Sequence, residues 1–599
     1  MRIVLVNWAM VWDGAVKGGG VNGYCQSLAL ELVARGHDVV YLCGGVTYVP
    51  LRVPAGSTAD SHFDAGRCEI RRHPDWLGVR VFEVMNSPVV APSIHQFADP
   101  AGEIDQPELE EKVGAFFRLI EPDVVHFHNL EGFSAGCVRA ARVGRSTGGT
   151  SKVFYSLHNY HTVCPQVYLM KGHRFPCHDF QGGRACETCI PTEAPELEVQ
   201  RRMRDVARTL AIPAVPVPPP PPGPRSPLLR QLRAEVTNLL RQPSAPKSGP
   251  TPPPAPPPDL IPPLPGAEIA SSQSAASPLP VDGVDQRGQT AHILADQKTH
   301  AKLGPGDPEW QPLPNVARPD PSGIDPSAPY GRRRQAMIDM LNACDGVLAV
   351  SEFVRAKFQA LGVRGDVIRT HHIGTRLNRV ARVHNDVLFD PPPFDRANPR
   401  PVRLAFIGFN SYFKGLPMFA DTLELLEADV LRRLHLYIYG IGVGADEWRF
   451  RRMEPRLGGL TMNPSYAYYD VPWILGGKDI GIVPSIWWDN APQTVFECFA
   501  CGVPVLGANA GGIPDFVTDG VNGLLFAAND RYDLARRLRE IVEAPWKLFE
   551  LRANVRPPKD IGDHAAELER LYASGLGAID ALAGRKAAGP DGLPAVRAH

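Results

Sequence analysis

The chain has 599 residues, a formal net charge of −1 at pH 7 and a sequence pI near 7.0. This length is enough for two or three domains with large buried cores, and the near-neutral charge argues against bulk nucleic-acid binding. No uninterrupted run of about 18 apolar residues predicts a membrane-spanning helix. The apolar start, MRIVLVNWAMVWDG, lacks a small-residue cleavage site, so a first strand is predicted there and the cytoplasm is the simplest location.

The first segment predicts a βαβ unit with a glycine-rich loop after its first strand. The strand RIVLVNW is followed by the loop GAVKGGGVNGY, an amphipathic helical pattern that ends at Gly36, and the strand HDVVYLCGG. Gly18, Gly19 and Gly20 therefore follow a strand at the edge where a parallel sheet binds ligands. The alternative is a flexible turn. Nicotinamide binding by this loop is weakly supported.

Two buried strands are predicted between residues 120 and 162. ELEEKVGAFFRLIEP has apolar residues at helical spacing and leads into the buried strand DVVHFHN, and KVFYSLHNYH predicts the next strand. His158 stands at the carboxyl end of that strand, where it could contact a ligand. A lone histidine at such a position is more often structural.

Four cysteines follow in a short segment with the spacing Cys164-x12-Cys177-x8-Cys186-x2-Cys189. A terminal CxxC with two upstream thiols can close a tetrahedral zinc site, so a structural zinc ion is predicted. The gaps differ from the paired CxxC motifs of zinc ribbons. Two disulfides or four unligated thiols are therefore the alternatives.

A proline-rich segment separates this region from the next helical pattern. Many of the 61 prolines lie between 211 and 330, in runs such as VPVPPPPPGP and TPPPAPPPDLIPPLP. Such runs favour extended polyproline II structure, so residues 212–328 are predicted to be a disordered insertion. Its PxxP sequences could dock an SH3-like partner, although a spacer is the commoner role.

A second domain is predicted after the proline-rich linker at 390–401. RLAFIGFNSYFKGLP gives strand, loop and helix, with Gly408 and Lys414 in the loop. Further on, free amides near Thr494 at the start of a helix over Val495–Cys501 predict an anion site suited to a diphosphate. Asp489 precedes this helix and Glu497 lies within it, so two acids flank the helix start.

These segments resemble the retaining glycosyltransferases of family 4. Asp489-x7-Glu497 corresponds to the family's Glu-x7-Glu, and ACGVPV at 500–505 and GGIPD at 511–515 follow in the family's order. LHNY at 157–160 is similar to the family's Leu-His-Asp-Tyr. The chain departs from the pattern at Asp489, which replaces Glu, at Asn159, which replaces Asp, and at Phe409, which replaces an Arg that contacts the diphosphate.

The resemblance implies the GT-B fold, an α/β arrangement of two Rossmann-like domains that face each other across a cleft. The implied parts are a first domain over 1–195 and 329–390, a donor-binding domain over 401–562, a C-terminal helix over 563–584 that packs back toward the first domain, and a tail over 585–599.

The resemblance also implies an activity, namely transfer of a sugar from a nucleotide-sugar to a hydroxyl of a glycan or glycolipid acceptor with retention of configuration. It implies no catalytic cofactor, no nucleic-acid partner and, for a lipid-linked acceptor, peripheral contact with the inner face of a membrane. The implied catalytic residues are His158, Lys414, Asp489 and Glu497, and the implied donor-binding residues are Gly18, Gly19, Gly20, Gly408, Lys414, Thr494 and Glu497.

Three alternatives use the same fold. A sugar phosphorylase or hydrolase and a nucleotide-sugar epimerase are enzymes, whereas a degenerate sugar- or partner-binding protein would not turn over. The departures at Asp489 and Phe409 and the long proline-rich arm suggest the last of these, and the fit of the family 4 segments makes the epimerase the weaker alternative.

Overall fold

The computed structural model describes residues 1–579, apart from 15–17, 55–56, 58–60, 93–98, 173, 211–312, 384–389, 397–398, 409–411, 441–443 and 465. Most of the predicted disordered insertion and the whole predicted tail lie outside the described residues. Among the residues described, no helix has both the length and the apolar composition needed to cross a membrane.

The first sheet has eight strands, and all of its neighbouring pairs are parallel except the one at one edge. Its strand order is β10-β9-β6-β5-β1-β2-β4-β3. Strands β5, β6 and β9 are almost wholly buried apolar runs, as expected of parallel strands covered on both faces. The strands are β1 (Arg2–Val6), β2 (Asp38–Gly44), β3 (Glu69–Arg72), β4 (Arg80–Met85), β5 (Val124–Phe127), β6 (Lys152–Leu157), β9 (Gly346–Ala349) and β10 (Ile368–Thr370), and a separate hairpin is formed by β7 (Met170–Lys171) and β8 (Phe175–Pro176).

The second sheet has six parallel strands in the order β13-β12-β11-β14-β15-β16. Counted from its own first strand this is 3-2-1-4-5-6, the order of the Rossmann fold. The strands are β11 (Val402–Ile407), β12 (Leu434–Tyr439), β13 (Gly459–Asn463), β14 (Ile480–Val483), β15 (Val505–Asn509) and β16 (Gly523–Ala527). Two doubly wound α/β sheets make up the GT-B architecture, so the predicted fold class is confirmed.

Helices connect the strands, and their apolar faces follow the 3.6-residue period. In α2, for example, Leu109, Val113 and Phe117 are buried, Pro107 begins the helix, and acidic residues occupy the first turn. The helices are α1 (Gly19–Ala34), α2 (Pro107–Ile120), α3 (Ala135–Ala140), α4 (Pro195–Leu210), α5 (Pro329–Asn342), α6 (Glu352–Ala360), α7 (Leu377–Val383), α8 (Leu416–Glu424), α9 (Ala428–Arg432), α10 (Gly444–Met453), α11 (Val471–Leu475), α12 (Gln493–Ala500), α13 (Arg531–Glu543), α14 (Lys547–Asn554) and α15 (Ile561–Ser574).

The last helix, α15, returns to the first domain. The Tyr24 hydroxyl lies 2.8 Å from Nε2 of His564, and the hydroxyl of Tyr572 lies 2.6 Å from Nδ1 of His126. Lys152 donates from Nζ to the carbonyl of Tyr572 at 2.8 Å. The chain therefore crosses from the second sheet to cover the first.

The end of the predicted insertion differs from the expectation of disorder, because residues 313–328 pack against both domains. The amide of Gly511 donates to Oδ1 of Asn315 at 2.8 Å, and Nδ2 of Asn315 donates to the Gly511 carbonyl at 3.0 Å. The amide of Asp325 donates to the carbonyl of Gly182 at 3.0 Å. Backbone and side-chain hydrogen bonds thus order a stretch whose proline content alone predicted a spacer.

Candidate functional site

A small pocket lies where the strand order of the second sheet reverses, between β11 and β14. Ligands of open α/β sheets bind at the carboxyl ends of the strands at such a switch point. The pocket joins the segment after β11 to the segment after β14 and to the first turn of α12. Its lining residues are Phe406, Ile407, Lys414, Ile482, Val483, Pro484, Ser485 and Thr494.

Lys414, which lines the pocket, forms an ion pair with Asp489, another predicted site residue. Nζ of Lys414 lies 2.8 Å from Oδ2 of Asp489, and the Ser485 hydroxyl donates to the same oxygen at 3.1 Å. Gly415 brings Lys414 to this position: its φ is +78°, and a Cβ there would lie 1.7 Å from the carbonyl oxygen of Pro484. Asp489 is only 4% exposed, so its charge depends on Lys414 for compensation.

Glu497, the second acid, is in a different state. It lies inside α12 in a half-buried position, and desolvation raises its pKa to about 7, against the opposing effect of the Lys414 charge. The hydroxyl of Thr494, one helical turn earlier, donates to the carbonyl of Ile407 at 3.3 Å. The two acids of the motif thus differ in environment: one is paired with a cation, and the other can be protonated near neutral pH.

The predicted glycine loop of the first domain meets the same helix. Gly19 and Gly20 form the first turn of α1 and not a loop, since the helix begins at Gly19. A Cβ on Gly20 would lie 2.8 Å from Cγ of Gln493, the first residue of α12. The N-terminal turns of the two helices therefore touch across the domain boundary, and Gly18, with φ of +92°, precedes the contact.

His158 follows β6 in the first domain. Its Nε2 lies 3.2 Å from Nδ1 of His128, and its ring centroid lies 4.9 Å from that of Tyr24. Burial lowers the pKa of His158 to about 3, so the imidazole is neutral at physiological pH. Sequence reasoning did not identify His126, His128 or Tyr24 as part of this group. The i, i+2 spacing of His126, in β5, and His128, directly after it, places both on the same face of the sheet, and this signal could have revealed them.

A wall of aromatic residues connects the two domains beside Asp489. The hydroxyl of Tyr160 donates to the carbonyl of Trp488 at 3.0 Å, and the ring of Tyr168 stacks on Phe413 with a centroid separation of 3.9 Å. The ring of Tyr168 also meets Trp487 edge-on at 5.0 Å. The sequence analysis did not predict these contacts, because they join residues more than 240 positions apart.

The remaining predicted positions are Gly408 and the four cysteines. Gly408 directly follows Ile407, which lines the pocket, and has φ of +146°, whereas its neighbour Phe409 lies outside the described residues. The four cysteines lie in the first domain, and the structure records no disulfide between these described residues. In the described part of the chain, the group of three potential metal ligands within 4.8 Å of one another is instead formed by His371, His564 and Glu567.

The second sheet lies in the part of the chain that matches a known protein family. Residues 401–544 match the family Glycosyl transferases group 1. A D-inositol 3-phosphate glycosyltransferase from Corynebacterium aurimucosum is 30% identical over 185 residues, which are 29% of this chain and 43% of the relative. A putative colanic acid biosynthesis glycosyltransferase, WcaL of Salmonella typhimurium, is 25% identical over 247 residues, 39% of this chain and 57% of the relative. The chain thus spans about half the length of the curated relatives it matches.

Solved structures with a similar arrangement are more distant in sequence. Sucrose-phosphate synthase from Thermosynechococcus elongatus has a TM-score of 0.48 at 13% identity, over 98% of this chain and all of that protein. HepE from Anabaena, crystallised with UDP and glucose, has a TM-score of 0.45 at 12% identity, over 96% of this chain and all of that protein. Both scores are below 0.5, and the fold assignment rests on the strand order of the two sheets.

Proposed function

We propose that this chain is a retaining glycosyltransferase, which moves a sugar from a nucleoside-diphosphate sugar to an acceptor hydroxyl. The observation that carries the proposal is the pairing of Lys414 with Asp489 beside the first turn of α12, at the switch point of the second sheet. The match of residues 401–544 to group 1 glycosyl transferases covers the same elements and supports this assignment.

The difficult step is departure of the diphosphate from an anomeric carbon that becomes oxocarbenium-like. Stabilisation of charge on the leaving group is the largest contribution that a protein can make to such a step. Lys414 provides the cation, and the free amides at the first turn of α12 near Thr494 provide aligned N–H donors. The first turn of α1 at Gly19 and Gly20 approaches from the other domain.

The remaining site residues act on the donor's hydroxyls. Glu497 holds the ribose, and Asp489 and the neutral imidazole of His158 hold the transferring sugar. The acceptor attacks the face that the diphosphate leaves, and the departing phosphate oxygen takes the acceptor's proton. No side chain is required as a nucleophile, and the configuration at the anomeric carbon is retained.

The names of the curated relatives indicate the class of acceptor. One is named for transfer to an inositol phosphate and another for biosynthesis of the polysaccharide colanic acid. A sugar or polyol hydroxyl, free or lipid-linked, is therefore the acceptor proposed for this chain.

A donor screen, followed by removal of the Lys414 charge, tests the proposal. UDP-, GDP-, ADP- and dTDP-sugars are first compared by thermal shift, because a ligand that binds the folded state raises its melting temperature. With the best donor, Lys414→Ala should lower transfer by at least roughly tenfold, the loss expected for a charged transition-state contact. Lys547→Ala, which removes an exposed lysine at the start of α14, should leave the rate unchanged.

The double variant Lys414→Ala/Asp489→Asn, compared with Asp489→Asn alone, separates two roles of the lysine. If Lys414 serves only to neutralise Asp489, the double variant is as active as Asp489→Asn. If Lys414 contacts the diphosphate, the double variant is slower than Asp489→Asn. Anomeric analysis of the product by NMR tests retention, and an inverted product would refute that part of the proposal.

A sugar-binding protein without turnover is the second candidate. It is favoured by the ion pair itself, because Lys414 and Asp489 already satisfy each other without a ligand. Donor binding in the thermal-shift screen, combined with no transfer and no release of nucleoside diphosphate for any acceptor, would favour this function.

A further inference from the structure

We propose that Asn315 is a positioning residue of the donor site, and that its carboxamide holds the turn at Gly511 and Gly512 against the backbone of Asp489. Asn315 belongs to the stretch 313–328, which lies outside the segments that resemble family 4 and whose proline content predicts a spacer. The hydrogen bonds of Asn315 are features of the unliganded protein, whereas their effect on sugar transfer rests on the proposed glycosyltransferase function.

The side chain of Asn315 binds both backbone polar groups of Gly511. Its Oδ1 accepts a hydrogen bond from the Gly511 amide at 2.8 Å, and its Nδ2 donates to the Gly511 carbonyl at 3.0 Å. An asparagine carboxamide presents an acceptor and a donor side by side, so it can bind the two groups of one residue at once. One side chain from a distant part of the chain therefore fixes the orientation of Gly511.

The turn at Gly511 packs directly on the peptide groups of Asp489. A Cβ on Gly511 would lie 2.2 Å from the carbonyl oxygen of Asp489 and 2.6 Å from its amide nitrogen. The amide of Gly512 donates to the same carbonyl at 2.7 Å. Because the carboxylate of Asp489 accepts a hydrogen bond from Nζ of Lys414 at 2.8 Å, a displacement of the turn would also disturb the ion pair of the donor site.

Asn315 is held between two anchors. On one side, the amide of Leu313 donates to the carbonyl of Ala528 in the second domain at 2.9 Å. On the other side, the carbonyl of Arg318 accepts a hydrogen bond at 2.9 Å from Nζ of Lys357, a buried residue of α6 in the first domain. The backbone is thus ordered on both sides of Asn315, so its carboxamide reaches the turn with little further loss of conformational entropy.

The anchor on the first domain also contacts the segment that carries the acid. Nζ of Lys357 lies 4.8 Å from the centroid of the Trp488 ring, and Trp488 directly precedes the acid. Two residues after the Lys357 contact, Oδ2 of Asp320 lies 3.2 Å from Nη1 of Arg334 and accepts a hydrogen bond from the amide of Phe180 at 3.2 Å. The stretch 313–320 therefore crosses from one domain to the other and contacts the donor site through the glycine turn and through Trp488.

The alternative is that Asn315 only ties this stretch to the second domain. Asn522 offers a matched comparison, because its Oδ1 accepts from the amide of Thr518 at 2.8 Å and its Nδ2 donates to the carbonyl of Phe516 at 3.0 Å. Both asparagines are half-buried and bind one backbone amide and one backbone carbonyl of the second domain. The partners of Asn522 belong to the local turn 516–522, whereas the partner of Asn315 touches Asp489. A tie predicts equal consequences for the two residues, and positioning predicts different ones.

Kinetic comparison of the two full-length alanine variants tests this difference. Asn315→Ala should lower kcat/KM for the best donor by roughly tenfold, the loss expected for two neutral hydrogen bonds. It should also change the ratio of kcat/KM between two donors that differ in the sugar, because Asp489 holds the transferring sugar. The Kd of the free nucleoside diphosphate should change by less than about twofold, since Lys414 and α12 bind it. Asn522→Ala should keep the rate and the sugar ratio. Equal losses in the two variants, with an unchanged sugar ratio, would overturn the positioning role.

The variant Asn315→Asp separates hydrogen bonding from packing. The aspartate side chain has the shape of asparagine, but it places an oxygen opposite the Gly511 carbonyl where Nδ2 of Asn315 donates. Asn315→Asp should therefore be at least as slow as Asn315→Ala. Transfer at the normal rate in Asn315→Asp would mean that the side chain only fills space, and this result would also overturn the proposal.

Hydrogen exchange of the unliganded protein tests the contact without turnover. Asn315→Ala should speed exchange in peptides that cover 485–492 and 508–514 by roughly tenfold, because the turn and the segment of Asp489 lose a shared support. Asn522→Ala should leave exchange at 485–492 unchanged. Normal exchange at 485–492 in Asn315→Ala would overturn the proposal, whatever the activity of the enzyme. Faster exchange there, combined with no turnover of any donor, would support the contact and refute only the proposed function.

Discussion

The two sheets have corresponding switch points with different electrostatic character. In the first sheet the strand order reverses between β1 and β5, and among the residues that follow β5 and β6 are His128 and His158, whose burial lowers the pKa of each imidazole and keeps it neutral. In the second sheet it reverses between β11 and β14, where Lys414 pairs with Asp489 and Glu497 has a raised pKa. A shared topology therefore does not imply a shared ligand: the second edge suits an anion, and the first suits an uncharged polar group such as a sugar.

The largest effect is expected at Gly511, beside Asp489 at the switch point of the second sheet, because the backbone there has no room for a side chain. Gly511 has φ of +56°, and a Cβ there would lie 2.2 Å from the carbonyl oxygen of Asp489. Gly511→Ala should displace the Asp489 loop, abolish transfer and lower the free energy of unfolding by more than about 2 kcal/mol. Steady-state kinetics and urea unfolding would measure both effects.

Gly520→Ala is the matched control for this substitution. Gly520 has a similar φ of +72°, but a Cβ there would meet no atom within 4 Å. It should therefore show only the strain of a left-handed residue, about 1 kcal/mol, with normal transfer. Equal losses in the two variants would mean that backbone strain, and not the contact with Asp489, determines the effect.

Glu497→Gln should produce the next largest loss, at least roughly tenfold in transfer, because it removes a charged contact with the donor.

The same change should stabilise the unliganded protein above neutral pH. The folded-state pKa of about 7 exceeds the ordinary carboxyl value, so the folded protein binds the proton more tightly than the unfolded chain. Stability contributed by this proton is present at low pH and is lost as pH rises from about 4.5 to about 7.

The pH dependence of unfolding measures this contribution. In the range above pH 7, Glu497→Gln should be more stable than the unchanged protein by on the order of 2 kcal/mol, and below pH 4.5 the difference should vanish. A difference that grows toward low pH would show that the carboxylate is stabilising in the folded state, contrary to its desolvated position in α12.

A smaller effect is expected at the switch point of the first sheet, where the imidazole of His158 is neutral. His158→Gln keeps a neutral hydrogen-bonding side chain and should lower kcat/KM by roughly fivefold, about 1 kcal/mol, as for one uncharged hydrogen bond. The loss should be the same from pH 6 to pH 8, because burial holds the pKa of His158 at about 3. A loss that changes with pH in this range would mean that the imidazole is charged during the reaction, and the contrast between the two edges would fail.

The sequence predicted the second edge better than the first. Asp489, Glu497 and GGIPD are close in the chain, so their spacing reports local geometry around one helix start. The group around His158 also needs Tyr24 from α1 and His128, which follows β5, and the surrounding packing brings in α15. Long-range packing of this kind leaves no local sequence pattern, although the i, i+2 histidines of DVVHFHN indicate part of the group around His158.

The ion pair and the order at 313–328 were also beyond prediction from sequence. Lys414 was expected to contact phosphate, but its 2.8 Å contact with Asp489 depends on how two separate loops meet. Residues 313–328 contain the same prolines as a spacer, and they are ordered because Asn315 and Asp325 find backbone partners on opposite domains. Composition describes the chain's intrinsic preference, whereas these hydrogen bonds come from tertiary contacts.

Asp489→Glu should have the smallest effect and the most specific one. The added methylene must either push the paired ammonium of Lys414 further into the pocket or break the hydrogen bond from Ser485. We expect the ratio of kcat/KM between two donors that differ in the sugar to change by roughly fivefold, about 1 kcal/mol, while the preference among nucleotide bases stays the same. Ser485→Ala is the control, because it removes the hydroxyl but leaves the carboxylate at its original length. If both variants shift the sugar preference equally, mobility of Asp489 accounts for the change; if only Asp489→Glu does so, the length of the acid selects the sugar.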